Sequence, residues 1–179
     1  MTRRLKILDF DTENRPGFYW YDGRTTDMLM TIAWGWMDEK EVHWDTIRSD
    51  VEEGLIPLPL ERFTEALSHA DVVTGHNIKR HDVPLLNAHC DREGLPRLEW
   101  PLIVDTMDFM QKTKGVSRSQ ANLSDLFRLV EDKTQVHIPT WERAATGDAV
   151  ALTIVAKRCM QDVRQHRELY KELVWRAYL

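Results

Sequence analysis

The feature that most constrains the fold is the hydrophobic pattern, which indicates β-strands in the first third of the chain and helices with two further short strands after it. The first third has the alternation and short apolar runs of β-strands, with a turn at Met37–Lys40 that predicts a hairpin. The predicted strands are Leu5–Phe10, Leu29–Met37, Val42–Ile47, Val72–Thr74 and Ile103–Val104. The predicted helices are Pro59–Ala70, Val83–Cys90, Asn122–Val130 and a long final helix that Asp148 would cap and that reaches about Trp175. A meander that leads into crossover units implies an α/β fold with a mixed five-stranded sheet flanked by helices.

Length and composition restrict the class of protein further. The 179 residues suit a single domain over 1–179, and the net charge of −5 argues against a protein that coats nucleic acid non-specifically. A nucleic-acid enzyme stays open, because metal ligands would account for part of the negative charge. The two cysteines form no disulfide framework and no apolar run reaches membrane-spanning length, so we expect a cytoplasmic protein without a membrane partner.

Four carboxylates from distant parts of the sequence are the candidate functional residues. Asp11 and Glu13 lie two residues apart at the end of a predicted strand, which places both side chains on one face of the sheet. Asp82 lies at the junction between a loop and the predicted helix Val83–Cys90, and Asp162 lies on the apolar stripe of the final helix. Converging carboxylates raise each other's pKa, and divalent cations such as Mg²⁺ relieve this repulsion. The expected chemistry is phosphodiester hydrolysis at a two-metal site.

Each of these residues also has a simpler interpretation, which for Asp11 and Glu13 is an ordinary polar strand end. Asp82 could have the purely structural role of stabilising the positive end of a helix dipole. Asp162 could have the purely structural role of forming an ion pair with Arg158 one turn earlier. Asp9 has the same strand parity as Asp11, so spacing alone does not exclude it as a ligand. Asn77 would fix the backbone of the turn that leads to Asp82.

Taken in order, these segments resemble the DEDD superfamily of 3′–5′ exonucleases, which includes the proofreading domains of family A and family B DNA polymerases. Asp11-Thr-Glu13 is similar to the first family motif, Asn77 to Asp82 to the second, and Cys159-Met-Gln-Asp-Val163 to the third. Ile103-Val-Asp-Thr106 looks like the family's intervening Asp-Thr element, and the helix that begins near Asn122 looks like the small helix that follows it. The resemblance covers nearly the whole chain.

The resemblance implies a ribonuclease-H-like three-layer fold and a 3′–5′ exonuclease that releases nucleoside monophosphates from DNA, most readily from single-stranded 3′ ends. It also implies two Mg²⁺ or Mn²⁺ ions held by the four carboxylates, and association with a polymerase or repair complex. Candidate substrate contacts include a basic loop that would hold phosphates and aromatic residues that would stack on bases. These candidates are Thr12, Asn77, Arg158, Lys112, Lys114 and the segment Phe18-Tyr-Trp20.

One departure from the family pattern concerns the residue that orients or deprotonates the attacking water, the general base. Family members have Tyr four residues, or His five residues, before the last aspartate, whereas this chain has Arg158 and Lys157 there. Because Arg stays protonated, it cannot deprotonate water. His166, His137 or Tyr170 could substitute, a metal could acidify the water alone, or the enzyme could be slow.

Two other functions remain open. One is an exoribonuclease of the same fold, and the other is a catalytically weak module that binds nucleic-acid ends or a polymerase. A zinc site at His76, His81, His89 and Cys90 is disfavoured, because their spacing fits no standard pattern.

Overall fold

A computed structural model of the chain describes residues 3–15, 28–110, 115–129 and 134–179. The strands are β1 Ile7–Asn14, β2 Leu29–Trp36, β3 His43–Thr46, β4 Arg48–Asp50, β5 Gly54–Ile56, β6 Val72–Gly75 and β7 Leu102–Asp105. The helices are α1 Glu61–Ser68, α2 Asp82–Glu93, α3 Thr106–Phe109, α4 Gln120–Phe127, α5 Ile138–Ala145 and α6 Ala149–Trp175.

The main sheet has five strands in the order β3-β2-β1-β6-β7. β1, β2 and β3 form an antiparallel meander, whereas β6 runs parallel to β1 and β7 runs parallel to β6. The sheet is therefore mixed, and the predicted hairpin and crossover units are confirmed. β4 and β5 pair only with each other, as a separate two-stranded sheet.

Helices cover both faces of the central strand, which gives the fold three layers. On one face of β1, Phe10 packs against Phe63 of α1 and Trp100, with ring centroids 5.4 Å and 5.6 Å apart. On the other face, Cys159 of α6 lies 3.3 Å from the carbonyl oxygen of Asp11. Since Asp9 lies in the part of β1 that is enclosed on both sides, its carboxylate needs a cation or hydrogen-bond donors from the layer above it.

The long helix α6 is the element that brings the C-terminal part of the chain to β1. Asp148 caps it as predicted, because its side chain accepts a hydrogen bond from the backbone nitrogen of Ala151 at 2.8 Å. The helix then continues to Trp175, and its predicted apolar stripe is buried. Asp162 therefore lies near the middle of a helix whose position is fixed along its whole length.

Several elements differ from the sequence prediction. β1 extends to Asn14 and not only to Phe10, since its polar end pairs with β2 through a register shift between Glu13 and Asn14. The β4–β5 hairpin is almost wholly exposed, so it lacks the apolar alternation that predicts strands. Helices α3 and α5 were also missed. Within the described ranges, none of the helices combines the length and apolar character that a membrane span needs.

Candidate metal centre

Three of the four predicted carboxylates come together at the end of β1. One carboxylate oxygen from each of Asp11, Glu13 and Asp162 lies within 4.8 Å of the others, and within the described ranges no other group of three metal-ligating side chains is as close. Asp11 and Glu13 share one face of β1, as their spacing predicted, and α6 supplies Asp162 from above that face. The cluster is partly open, because Asp162 is buried while Asp11 and Glu13 are half-buried.

The charge of this cluster is unfavourable without a cation. Loss of solvent around the Asp11 carboxyl raises its pKa well above the ordinary value, and the charges of Asp82, Glu13 and Asp162 raise it further. Burial and the same carboxylates also raise the pKa of the Cys159 thiol well above its usual range, so this thiol stays protonated. A set of only oxygen ligands in a negative, partly desolvated site matches the preference of Mg²⁺ or Mn²⁺.

Asp82 approaches β1 from the opposite side and lies outside the closest group. Its Oδ1 accepts hydrogen bonds from the Thr12 backbone nitrogen at 3.0 Å and from the Thr12 hydroxyl at 2.5 Å. Burial raises the pKa of Asp82, while the Thr12 hydroxyl and the charge of His81 oppose this rise. Thr12, which we expected to contact substrate, is itself buried and uses its side chain to position Asp82.

We therefore predict that Thr12→Val weakens divalent-cation binding, since valine keeps the shape of the side chain but removes the hydroxyl donor to Asp82. A loss of about ten-fold corresponds to one hydrogen bond to a charged group. Thr12→Ser retains the hydroxyl and serves as the control. Calorimetric titration with Mn²⁺ measures both variants, and equal affinities would contradict the positioning role.

The turn before α2 explains the identity of Asn77. This residue has a φ of 68°, in the left-handed region that Asn tolerates better than most residues. Asp105 holds the turn, because its carboxylate accepts hydrogen bonds from the backbone nitrogens of Asn77 at 2.8 Å and Lys79 at 3.0 Å. The same carboxylate caps α3 by accepting from Met107. The Asp-Thr element noted in the sequence thus fixes the path of the chain toward Asp82.

Arg158 forms the ion pair that the sequence offered as an alternative. Its Nε donates to Asp162 Oδ2 at 2.7 Å, and its Nη1 donates to the Thr134 carbonyl oxygen at 3.3 Å. Asp162 therefore belongs to the carboxylate cluster and to an ion pair at the same time.

Asp9, the residue that strand parity left open, is not part of the cluster. It is completely buried, and its Oδ1 lies 2.8 Å from His166 Nδ1. The other ring nitrogen of His166 lies 2.9 Å from the Thr106 hydroxyl, so both nitrogens are engaged away from solvent. Burial and the charge of Asp9 raise the pKa of Tyr170, which packs against His166. His166 and Tyr170 are therefore poorly placed to act as the substitute base.

The remaining candidates are scattered. His137 is exposed and precedes α5. His89 hydrogen-bonds to the Leu58 carbonyl oxygen and Cys90 belongs to the hydrophobic core, so these two residues do not form a zinc site. Lys112, Lys114 and the segment Phe18-Tyr-Trp20 lie outside the described residues.

Comparison with known proteins identifies the architecture. No protein-family model and no curated protein matches the chain. Among solved structures, a family B DNA polymerase from the hyperthermophilic archaeon Pyrobaculum calidifontis superimposes with a TM-score of 0.72 over 96% of this chain, at 14% sequence identity. The chain has a ribonuclease-H-like fold. The chain covers 25% of the length of that polymerase. At 14% sequence identity, the similarity shows the fold alone.

Proposed function

We propose that this protein is a metal-dependent 3′–5′ exonuclease of the DEDD type, which hydrolyses single-stranded ends of DNA to nucleoside monophosphates. The main support is the group formed by Asp11, Glu13 and Asp162, with Asp82 beside it, at the end of the central strand. A polymerase chain with the same fold and the order of the sequence motifs add to this support. The partners would be DNA 3′ ends and a polymerase or repair complex.

The carboxylates would hold two Mg²⁺ or Mn²⁺ ions, which activate water and stabilise the leaving 3′ oxygen when bound. Asp11 would hold the metal together with Glu13, Asp82 and Asp162, because the charges of these three carboxylates all act on its own carboxyl group. Thr12 holds Asp82 toward the same strand end. Arg158 would contact the scissile phosphate, since a guanidinium suits phosphate oxygens, and deprotonation of the water would not need a side-chain base.

A second candidate is a module that binds nucleic-acid ends but cleaves them weakly. It is favoured by the ion pair between Arg158 and Asp162, because this pair occupies one oxygen of a candidate metal ligand. An exoribonuclease differs from the main proposal only in the sugar that it accepts, and a contact to the 2′-hydroxyl would distinguish the two.

The test is incubation of 5′-labelled single-stranded DNA and RNA of one sequence with Mn²⁺ or Mg²⁺. We expect the DNA to shorten progressively from its 3′ end, with release of mononucleotides, and EDTA to stop the reaction. Faster shortening of the RNA would support the exoribonuclease. Binding of the strands without shortening would support the binding module.

Two controls make the result specific. A covalently closed circle of the same DNA should stay intact, because no free 3′ end is available, and cleavage at the rate of the linear strand would exclude an exonuclease. Asp162→Asn, purified in the same way, should be inactive and thereby exclude a contaminating nuclease.

A further inference from the structure

We propose that Arg158 is a resident cation of the metal centre, which neutralises Asp162 in the metal-free protein and is displaced from it when a divalent cation binds. Arg158 would therefore set the metal concentration at which the site fills. This inference rests on the proposed metal centre, and it assigns to Arg158 a regulatory role at that site.

The geometry of the ion pair supports an exchange between two cations. Arg158 and Asp162 lie one turn apart on α6, and their side chains keep only 27% and 10% of their surface exposed. A pair that is this well shielded is screened less by water and salt than an exposed surface ion pair. The Nε–Oδ2 distance of 2.7 Å is in the range of a charge-assisted hydrogen bond.

The neighbourhood of Asp162 explains why a cation is held there. Its charge contributes to the raised pKa of Asp11, together with the charges of Asp82 and Glu13. Without metal, these carboxylates repel each other in a partly desolvated site. The guanidinium of Arg158 reduces this repulsion, because it neutralises part of the negative charge that a metal ion would otherwise neutralise.

Metal binding and the ion pair compete for the same carboxylate. An oxygen that accepts a short hydrogen bond from a guanidinium has to weaken that bond before it coordinates a metal. A divalent cation beside the cluster would also repel the positive guanidinium. Arg158 already has another acceptor within reach, because Nη1 donates to the Thr134 carbonyl oxygen.

The decisive measurement is metal affinity in the absence of nucleic acid. We would titrate Mn²⁺ into wild-type protein and Arg158→Gln by calorimetry. We expect Arg158→Gln to bind Mn²⁺ about ten-fold more tightly, since one hydrogen bond between charged groups no longer has to be broken. Arg164→Gln is the matched control, because Arg164 is exposed on the same helix and its loss changes the net charge equally. This control should change the affinity by less than about two-fold.

Thermal unfolding gives an independent readout. Arg158→Gln should lower the melting temperature of the metal-free protein, because the cluster loses its countercharge. This deficit should shrink at saturating Mn²⁺, since a ligand that binds the folded state more tightly stabilises it more. A purely structural ion pair would instead give the same deficit with and without metal. If Arg158→Gln does not fold, Arg158→Met keeps the alkyl stem and serves for both measurements.

The possible outcomes separate this inference from the proposed function. If the wild type binds Mn²⁺ and Arg158→Gln binds it equally or more weakly, the exchange is wrong and the metal centre stands. If the wild type does not bind Mn²⁺, both are wrong.

Discussion

Asp11→Asn is expected to abolish metal-dependent hydrolysis and, at the same time, to stabilise the metal-free protein. The loss of rate should reach roughly three orders of magnitude, because bound metal supplies several kcal/mol of transition-state stabilisation and each 1.4 kcal/mol is a factor of ten. The gain in stability follows from the electrostatics. Burial and three neighbouring carboxylates make the ionised form of Asp11 unfavourable, and asparagine cannot ionise.

The pH dependence of stability tests the same residue. A carboxyl whose pKa is raised on folding binds more protons in the folded state than in the unfolded state. The contribution of this carboxyl to the free energy of unfolding is therefore fully present below its pKa in the unfolded state, about 3.9. This contribution is lost as the pH rises through the pKa in the folded state. In EDTA, the wild type should lose stability as the pH increases above about 4, and Asp11→Asn should lose less.

Melting temperatures in EDTA from about pH 4 to 8, with rates in Mn²⁺, check both expectations. Glu65→Gln is the control for loss of one negative charge, because Glu65 is exposed on α1. Near wild-type activity of Asp11→Asn in Mn²⁺ would rule out this residue as a metal ligand. If stability depended on pH in the same way in Asp11→Asn and in the wild type, the ionised Asp11 carboxylate would not destabilise the metal-free protein.

The fold was largely predictable because its core follows simple hydrophobic periods. The alternation in Leu29–Met37 and the stripe that includes Leu152 and Val155 reflect burial, and both segments form the expected elements. The elements that were missed lack this signal. β4 and β5 are mostly exposed, and α3 is a single turn that Asp105 caps.

The site was predictable only in part, for a physical reason that Asp9 and Asp11 illustrate. Both lie on the same face of β1, and strand parity cannot separate them. Their roles differ because α6 offers different partners along its length. His166 and Arg167 lie beside Asp9, whereas Asp162 and Cys159 lie beside Asp11. These contacts join residues more than a hundred positions apart, and no local pattern encodes them.

Arg167→Met is expected to cause a larger loss of stability than the other substitutions, about 3–5 kcal/mol, because it breaks a buried ion pair and removes the cation that faces Asp9 Oδ2. The Arg167 Nε lies 3.8 Å from Asp9 Oδ2, and both side chains are almost completely buried. Burial raises the pKa of Asp9, and His166 and then the charge of Arg167 oppose this rise. Burial lowers the pKa of Arg167, and the charge of Asp9 opposes this change. In Arg167→Met, the Asp9 carboxylate would keep His166 beside its Oδ1 and lose the guanidinium that faces its Oδ2.

The guanidinium of Arg167 also joins α6 to the end of the β2–β3 turn. It donates to the carbonyl oxygens of Glu39 at 2.8 Å and Glu41 at 3.1 Å, and both bonds would be lost in Arg167→Met. Gly35 leaves the necessary space, because a Cβ at that position would overlap with the guanidinium and lie 2.5 Å from the Glu41 carbonyl oxygen. The pair is thus built into the packing of α6 on the sheet.

Urea unfolding in EDTA measures this prediction, with Arg164→Met as the exposed control on the same helix, expected within about 0.5 kcal/mol of wild type. The double variant Asp9→Asn with Arg167→Met should be less destabilised than the sum of the single variants, since it leaves no unpaired charge. A loss below about 1 kcal/mol for Arg167→Met would mean that water replaces the guanidinium.

Because Asp9 lies outside the carboxylate cluster, the folded fraction of Arg167→Met should bind Mn²⁺ as the wild type does. A change in metal affinity as large as that expected for Arg158→Gln would mean that the two ion pairs on α6 act as one system.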